Sequence, residues 1–227
     1  MVYAISDIHG CYDKYRRMLD TVRFSEEDTL YVVGDVVDRG AGGIAILQDM
    51  MARRNVIPLR GNHDYMAHML LRALKDDPSS LSSGKAQRLY QLWLLDGGEV
   101  TRDAFLQLLP EEQERVLTYM NSFLIYDELV AGGRSYFLAH TVPGKERMEN
   151  FSMLLWQEFI VGEPEYDQVY FPDQYIVTGH TPTGLIDPRC SGRIFRMNNH
   201  IAIDCGAASD HALGCICLDT LEEYYVD

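Results

Sequence analysis

The chain is poor in positive charge. Among its 227 residues, 20 Lys and Arg stand against 34 Asp and Glu, a formal net charge of −14. So acidic a surface repels nucleic acid and anionic membrane, both of which are held by basic side chains. No apolar run approaches the roughly 18 residues that span a bilayer. The chain opens directly into Val2-Tyr3-Ala4-Ile5-Ser6-Asp7, without a basic segment ahead of an apolar stretch, so the expected location is cytoplasmic. Cysteine is sparse and odd in number: Cys11, Cys190, Cys205, Cys215 and Cys217 form no disulfide framework and are expected as free thiols in a reducing compartment. Cys215 and Cys217 share one face of a strand, and two thiolates do not make a tetrahedral zinc site. Repeats and low-complexity tracts are absent. The length suits one sizeable domain with a real core, and 47% apolar with 24% charged residues is ordinary for a globular protein.

What is present is a β-α alternation. Val2–Ser6, Thr29–Val33 and Asn55–Leu59 are short apolar runs that read as strands, the last with Pro58, which lacks an N–H, near an edge or at the strand's end. Between and after them, Tyr12–Val22, Gly43–Arg54 and Tyr65–Leu74 carry helical spacing. That order predicts parallel strands with helical crossovers. A polar loop, 76–84, leads into three helical stretches, Lys85–Leu95, Thr101–Leu109 and Glu111–Ser122, with Pro110 as a helix start. Residues 76–122 interrupt the alternation and read as an inserted helical cap. Beyond them, Phe123–Val130 and Ser135–Ala139 flank Gly132-Gly133 as a hairpin. Asn150–Val161 reads as a helix. Tyr175–Thr178, Gly192–Arg196, His200–Ile203, Leu213–Leu218 and Glu222–Val226 read as strands of a second, mixed sheet. The fold class is α/β, two mixed sheets flanked by helices.

Five polar segments stand where apolar runs end: Ser6-Asp7-Ile8-His9-Gly10, Gly34-Asp35-Val36-Val37-Asp38-Arg39-Gly40, Gly61-Asn62-His63-Asp64, Leu138-Ala139-His140-Thr141 and Gly179-His180-Thr181-Pro182. Hard oxygen and nitrogen donors repeated at strand ends suggest a two-metal hydrolytic centre, at the place where ligands bind in α/β folds. Asp7 and His9 can converge on one ion. The two oxygens of Asp35 can bridge a pair of ions, and Asn62, His140 and His180 can complete the second site. Two divalent cations over two carboxylates leave roughly +2 for an anionic substrate, which resolves the difficulty that an acidic protein poses for a phosphate. Arg39 offers a guanidinium fork for phosphate oxygens. His63 is placed to act as general acid, its ring oriented by Asp38 or Asp64. His68, His200 and His211 lie outside these segments and read as ordinary structural histidines.

These segments resemble the signature blocks of the calcineurin-like metallophosphoesterase superfamily, and more narrowly the phosphoprotein phosphatase branch with its bacterial and phage-type serine/threonine protein phosphatases. Ile203-Asp204-Cys205-Gly206-Ala207 and Trp93-Leu94-Leu95-Asp96-Gly97-Gly98-Glu99 are similar to further family segments, so the likeness spans nearly the whole chain. It implies a β-sandwich flanked by helices, as a single domain over 1–227 with the cap inserted. It implies two divalent metal ions, manganese as the usual choice and iron or zinc as alternatives. One would be held by Asp7, His9 and Asp35, the other by Asp35, Asn62, His140 and His180. Catalysis would fall to His63, paired with Asp38, and to Arg39, with Arg39 and Asn62 meeting the substrate while metal-activated hydroxide attacks phosphorus directly. Two departures stand out. Ser6 replaces a usual glycine, and Leu154-Leu155-Trp156-Gln157-Glu158-Phe159 lacks the second phosphate-clamping arginine that many members carry after a tryptophan, so either another arginine such as Arg147 reaches in or the substrate is held more loosely.

Asp38 ahead of Arg39-Gly40 favours a serine/threonine protein phosphatase, with tyrosine also open, because the related symmetrical diadenosine tetraphosphate hydrolases often have alanine there. Those hydrolases are the second reading, and a catalytically silent metal-binding scaffold the third. The expected partner is a phosphorylated protein or a small phosphoester, not nucleic acid or membrane.

Overall fold

The computed structural model describes residues 1–227 as two five-stranded mixed sheets with helices on the outside of the first. In the first sheet the strands run in the order β10-β9-β1-β2-β3, with β1 (Val2–Ile5), β2 (Thr29–Val33), β3 (Val56–Leu59), β9 (Leu213–Cys217) and β10 (Glu223–Val226). The first three are parallel and the last two antiparallel. Pro58 is tolerated because β3 is the edge strand, as its missing N–H requires. The second sheet runs β4-β5-β6-β8-β7, from β4 (Tyr126–Ala131), β5 (Arg134–Ala139), β6 (Gln174–Thr178), β7 (Phe195–Met197) and β8 (His200–Ala202). Here β5, β6 and β8 form the parallel centre, and Gly132-Gly133 closes the β4–β5 hairpin.

Side chains along the strands alternate between two cores. Ala4, Tyr31, Val33 and Leu59 face the second sheet and pack with Tyr136, Leu138, Val177, Ile201 and Ile216. Tyr3, Ile5, Leu30 and Val32 point the other way, onto Tyr15, Met18 and Leu19 of α1 (Tyr12–Thr21) and Ile46, Leu47 and Met50 of α2 (Gly43–Met51). The far face of the second sheet is covered by Phe159, Tyr170 and Met148 over Phe137 and Ile176. No helix is long and apolar enough to cross a membrane.

The helical segment after α3 (Asn62–Asp76) consists of α4 (Gly84–Trp93), α5 (Glu99–Leu106) and α6 (Pro110–Asn121). Its Trp93, Phe105, Val116, Leu117 and Met120 are buried in the same core as α1 and α2, so it extends that core rather than standing apart. Three expectations change. Leu213–Leu218 and Glu222–Val226, expected in the second sheet, are β9 and β10 of the first, where β9 pairs antiparallel with β1. α3 begins at Asn62 instead of Tyr65, because Asp64 caps its first turn by accepting from the Gly61 N–H at 3.1 Å. The expected helix at Asn150–Val161 is instead two 3-10 turns, Phe151–Met153 and Trp156–Phe159, joined through extended Leu154 and Leu155. Phe159 fills the core beneath the sheet while Trp156 turns onto Tyr65, and one straight helix cannot serve both directions.

Candidate metal centre and active site

Asp7 and His9 lie just past β1, Asp35 past β2, Asn62 and His63 on the first turn after β3, His140 directly after β5 and His180 just past β6. The carboxyl ends of the parallel strands of both sheets therefore meet at one place. To aim these side chains inward the backbone takes an unusual route. Of the eleven non-glycine residues with positive φ, six are Asp7, His9, Asp35, Asp38, Arg39 and His180. Such conformations are disfavoured for residues with a Cβ and concentrate at functional sites.

Asp35 is the centre of the cluster. Its Oδ2 lies 3.4 Å from His140 Nε2 and 3.7 Å from His9 Nε2. Two sets of donor atoms gather around it, each within 4.8 Å: His9, Asp35 and His63, and Asp35, His140 and His180. Asn62 Oδ1 joins the second set at 3.0 Å from both His140 Nε2 and His180 Nδ1. Asp7 is buried beside them. Its Oδ2 accepts from the His180 N–H at 3.0 Å and from the Ser6 hydroxyl, so the serine that replaces a glycine supplies a donor to this carboxylate.

The donor chemistry suits divalent cations. A backbone carbonyl can only accept, so the bonds from His9 Nδ1 to Val37 (3.0 Å) and from His140 Nδ1 to Val33 (2.9 Å) place the proton on Nδ1. The Nε2 lone pairs then face the cluster, as metal-ligating histidines require. Burial pushes the His9 and His180 imidazoles down to about 4, which keeps them neutral donors. Burial works against a charged Asp35 as well, but His140, His9 and His63 outweigh it and hold the carboxyl below the usual range. Burial would likewise lower His140, yet the carboxylates of Asp35 and Asp7 carry it up to about 10. A pocket that draws a proton so strongly favours positive charge, and the Arg39 guanidinium already lies against it, 2.8 Å from His9 Nε2.

The corner around His63 is equally defined. Asp38 Oδ2 accepts from His63 Nδ1 at 2.8 Å. His63 Nε2, 3.2 Å from Arg39 Nη2, faces the mouth of the site. Burial lowers the His63 pKa, but Asp38 and Asp35 raise it above its ordinary value on balance. Of the two possible orienting carboxylates, Asp38 takes that part. Asp64 instead accepts from the N–H groups of Asp35 (2.7 Å), Val36 (2.9 Å) and Gly61, shaping the loop that presents Asp35. Arg147 does not replace the missing arginine: its side chain is spent on Glu158 and the Met153 carbonyl. Asp96 went unrecognised in the sequence. It hangs exposed over the mouth, 3.8 Å from Arg39 Nη2 and 3.7 Å from His63 Nε2.

A family model for calcineurin-like phosphoesterases matches residues 1–204. The chain belongs to this family. It is thus a metal-binding hydrolase of phosphoester bonds, and the two mixed sheets are the family's fold. Among similar curated proteins, the "Bis(5'-nucleosyl)-tetraphosphatase, symmetrical" of Legionella pneumophila (strain Corby) is 27% identical over 217 residues, covering 88% of this chain and 74% of the relative. The protein of the same name from Nitrosospira multiformis is 42% identical over 72 residues, 31% of this chain and 26% of its own length. Among solved structures, one provisionally assigned as a diadenosine tetraphosphatase superposes with a TM-score of 0.68 at 17% identity, over 99% of this chain and 92% of its own. A protein serine/threonine phosphatase from Saccharomyces cerevisiae gives 0.53 at 13% identity, over 94% and 71%. At such identities these structures show a common fold.

The expectation of a protein phosphatase acting on a phosphorylated protein is overturned. The relatives matched along most of the chain are named tetraphosphatases. The physical reason lies in Asp38, the residue on which that expectation rested. It is fully buried, and its carboxylate is engaged by His63, Trp93 and Thr101, so it reads no substrate.

Proposed function

We propose that this chain hydrolyses dinucleoside tetraphosphates at the middle of the phosphate chain, releasing two nucleoside diphosphates. The match over 217 residues to symmetrical tetraphosphatases carries the substrate, and the arrangement of His63, Asp38 and Arg39 is suited to the chemistry. Asp7, His9 and Asp35 would hold one divalent ion, and Asp35, Asn62, His140 and His180 a second, manganese being the first candidate and iron or zinc the alternatives. Such ions would neutralise the phosphate chain and act as Lewis acids toward water and phosphoryl oxygen.

Arg39 donates to phosphate oxygens from the rim, and Asn62 steadies the same end of the substrate. His63 holds a proton on Nε2 for the bridging oxygen that leaves, while its Nδ1–H stays donated to Asp38. A departing nucleoside diphosphate is a far weaker base than a departing alkoxide, so this substrate asks less of the acid than a phosphoserine does. Residues 76–122 serve as a cap inserted in a single domain over 1–227. The five free cysteines fit a reducing, cytoplasmic setting.

The test is product analysis by chromatography after incubation of the Mn²⁺-loaded protein with diadenosine tetraphosphate, beside a phosphoserine peptide. Two ADP per substrate is the expected result. ATP with AMP would refute central cleavage, and turnover of the peptide alone would refute the substrate class.

A further inference from the structure

The segment around the turn between α4 and α5 grips Asp38 and Arg39, in the loop after β2, beside His63. Trp93, 2% exposed at the end of α4, donates its indole N–H to Asp38 Oδ2 at 2.8 Å. Thr101, equally buried in α5, donates its hydroxyl to Asp38 Oδ1 at 2.8 Å and accepts the Asp38 N–H at 2.9 Å. The Gly97 carbonyl accepts the Arg39 N–H at 2.9 Å. Gly97, in the turn, has φ +95°, and a Cβ there would lie 2.6 Å from the Arg39 nitrogen, so only glycine lets the turn approach so closely. Asp38 and Arg39 both have positive φ, and the strained dipeptide is fixed from outside by these bonds.

With His63 Nδ1 on the same Oδ2, Asp38 has donors on both oxygens and no solvent contact. Its carboxylate plane is therefore set by three groups, and two of them belong to the helical segment. We infer that Trp93 and Thr101 are positioning residues of the reaction: they fix the Asp38 carboxylate and, through it, the ring of His63 that protonates the leaving oxygen. The inference rests on His63 acting as that acid, not on the identity of the nucleotide substrate. In the step itself, a water oxygen bonds to phosphorus and gives up a proton to solvent while the P–O bond to the leaving group breaks; that bond's electron pair stays on the leaving oxygen and takes the Nε2 proton, and His63 ends neutral with its Nδ1–H still donated to Asp38. The helical segment, on this account, is part of the acid's support.

The test uses Trp93→Phe, which keeps a ring without the N–H, and Thr101→Val, which keeps the shape without the hydroxyl. Both are compared with the parent Mn²⁺-loaded protein on phenyl phosphate (poor leaving group) and 2,4-dinitrophenyl phosphate (good leaving group). Each variant should lose about tenfold or more in kcat on phenyl phosphate, within the range a general acid contributes, and less than twofold on the dinitrophenyl ester, with KM unchanged. Thr101→Ser should restore the rate. In a His63→Ala background neither substitution should matter further, since residues acting through one group are non-additive. Equal losses on both esters, or an additional loss without His63, would overturn the inference. A readout free of turnover is the imidazole NMR of metal-free protein, where the His63 Nδ1–H resonance should be resolved in the parent and lost to exchange in both variants. Its persistence in both would also overturn the inference. Failure on diadenosine tetraphosphate alone, with the aryl ester pattern intact, would count against the proposed substrate and leave this inference standing.

Discussion

His140 donates its Nδ1 proton to the carbonyl oxygen of Val33, 2.9 Å away and 107 residues earlier in the chain. Val33 ends a strand of the first sheet and His140 follows a strand of the second, so this bond ties the two sheets together at the site. It also fixes the ring so that Nε2 turns to Asp35 and Asn62. Neither sheet alone would make the candidate metal centre.

Chelation of divalent ions should abolish hydrolysis and lower the melting temperature. An ion present at about a hundred times its dissociation constant stabilises by about 2.7 kcal/mol, or roughly 5–10 °C for a chain of this size. In Asp35→Asn, where the shared carboxylate is gone, Mn²⁺ should give little rise. Differential scanning fluorimetry with and without EDTA checks this, and a full Mn²⁺ shift in the variant would remove Asp35 from the ligand set.

His63→Asn should keep its metals by elemental analysis and lose about 10²–10⁴-fold in kcat on alkyl phosphates. On diadenosine tetraphosphate, whose leaving diphosphate needs little protonation, the loss should be markedly smaller. The same loss on both substrates would count against His63 as the acid.

Gly34 has φ +85°, and a Cβ on it would run into the His140 ring. Gly34→Ala should destabilise by at least about 1–3 kcal/mol from backbone strain alone and weaken Mn²⁺ binding by displacing His140. Urea melts and a metal titration measure the two effects, and an unchanged melt would mean that the ring does not rest on residue 34.

His200 is buried in the second sheet, where burial holds its imidazole down to about 3, against an ordinary 6.5 or so. The folded pKa is depressed, so the stability linked to the neutral ring is fully present above pH about 6.5. It is lost as pH falls, by about 1.4 kcal/mol per pH unit until the folded pKa is reached. The stability gap between parent and His200→Gln should therefore narrow from pH 7 to pH 5 in metal-free protein. Parallel urea-melt curves would show that His200 binds protons as readily folded as unfolded.

Much of the candidate site was legible because each candidate ligand follows an apolar strand with the strand's own signature. The runs ending at Ser6, Val33 and Leu59 predicted the strands and, just beyond them, Asp7, Asp35 and Asn62. What escaped is what sequence distance hides. Trp93 stands in a segment similar to the family's and Thr101 in a helical stretch, but neither pattern marks them as partners of Asp38; only the turn at Gly97 carries them back to it. Residues 151–160 carry helical spacing, but their apolar groups serve two different surfaces. Asp38 misled as a substrate marker because the sequence does not show that it is buried and triply engaged.

The left-handed residues around the site have a consequence for anyone who seeks a hardier version of this protein. Asp7, His9, Asp35, Asp38, Arg39 and His180 each hold a backbone shape that glycine would adopt without strain. At exposed Arg39 a library sorted only for heat resistance should thus enrich glycine, whereas at Asp7, Asp35 and Asp38 the buried hydrogen bonds given up would outweigh the strain relieved. The Arg39→Gly survivors would be sturdier and catalytically poorer, since that side chain belongs to the candidate chemistry. Directed evolution of this scaffold needs selection for turnover in every round, with the gains in robustness sought in the helical core far from the strand tips.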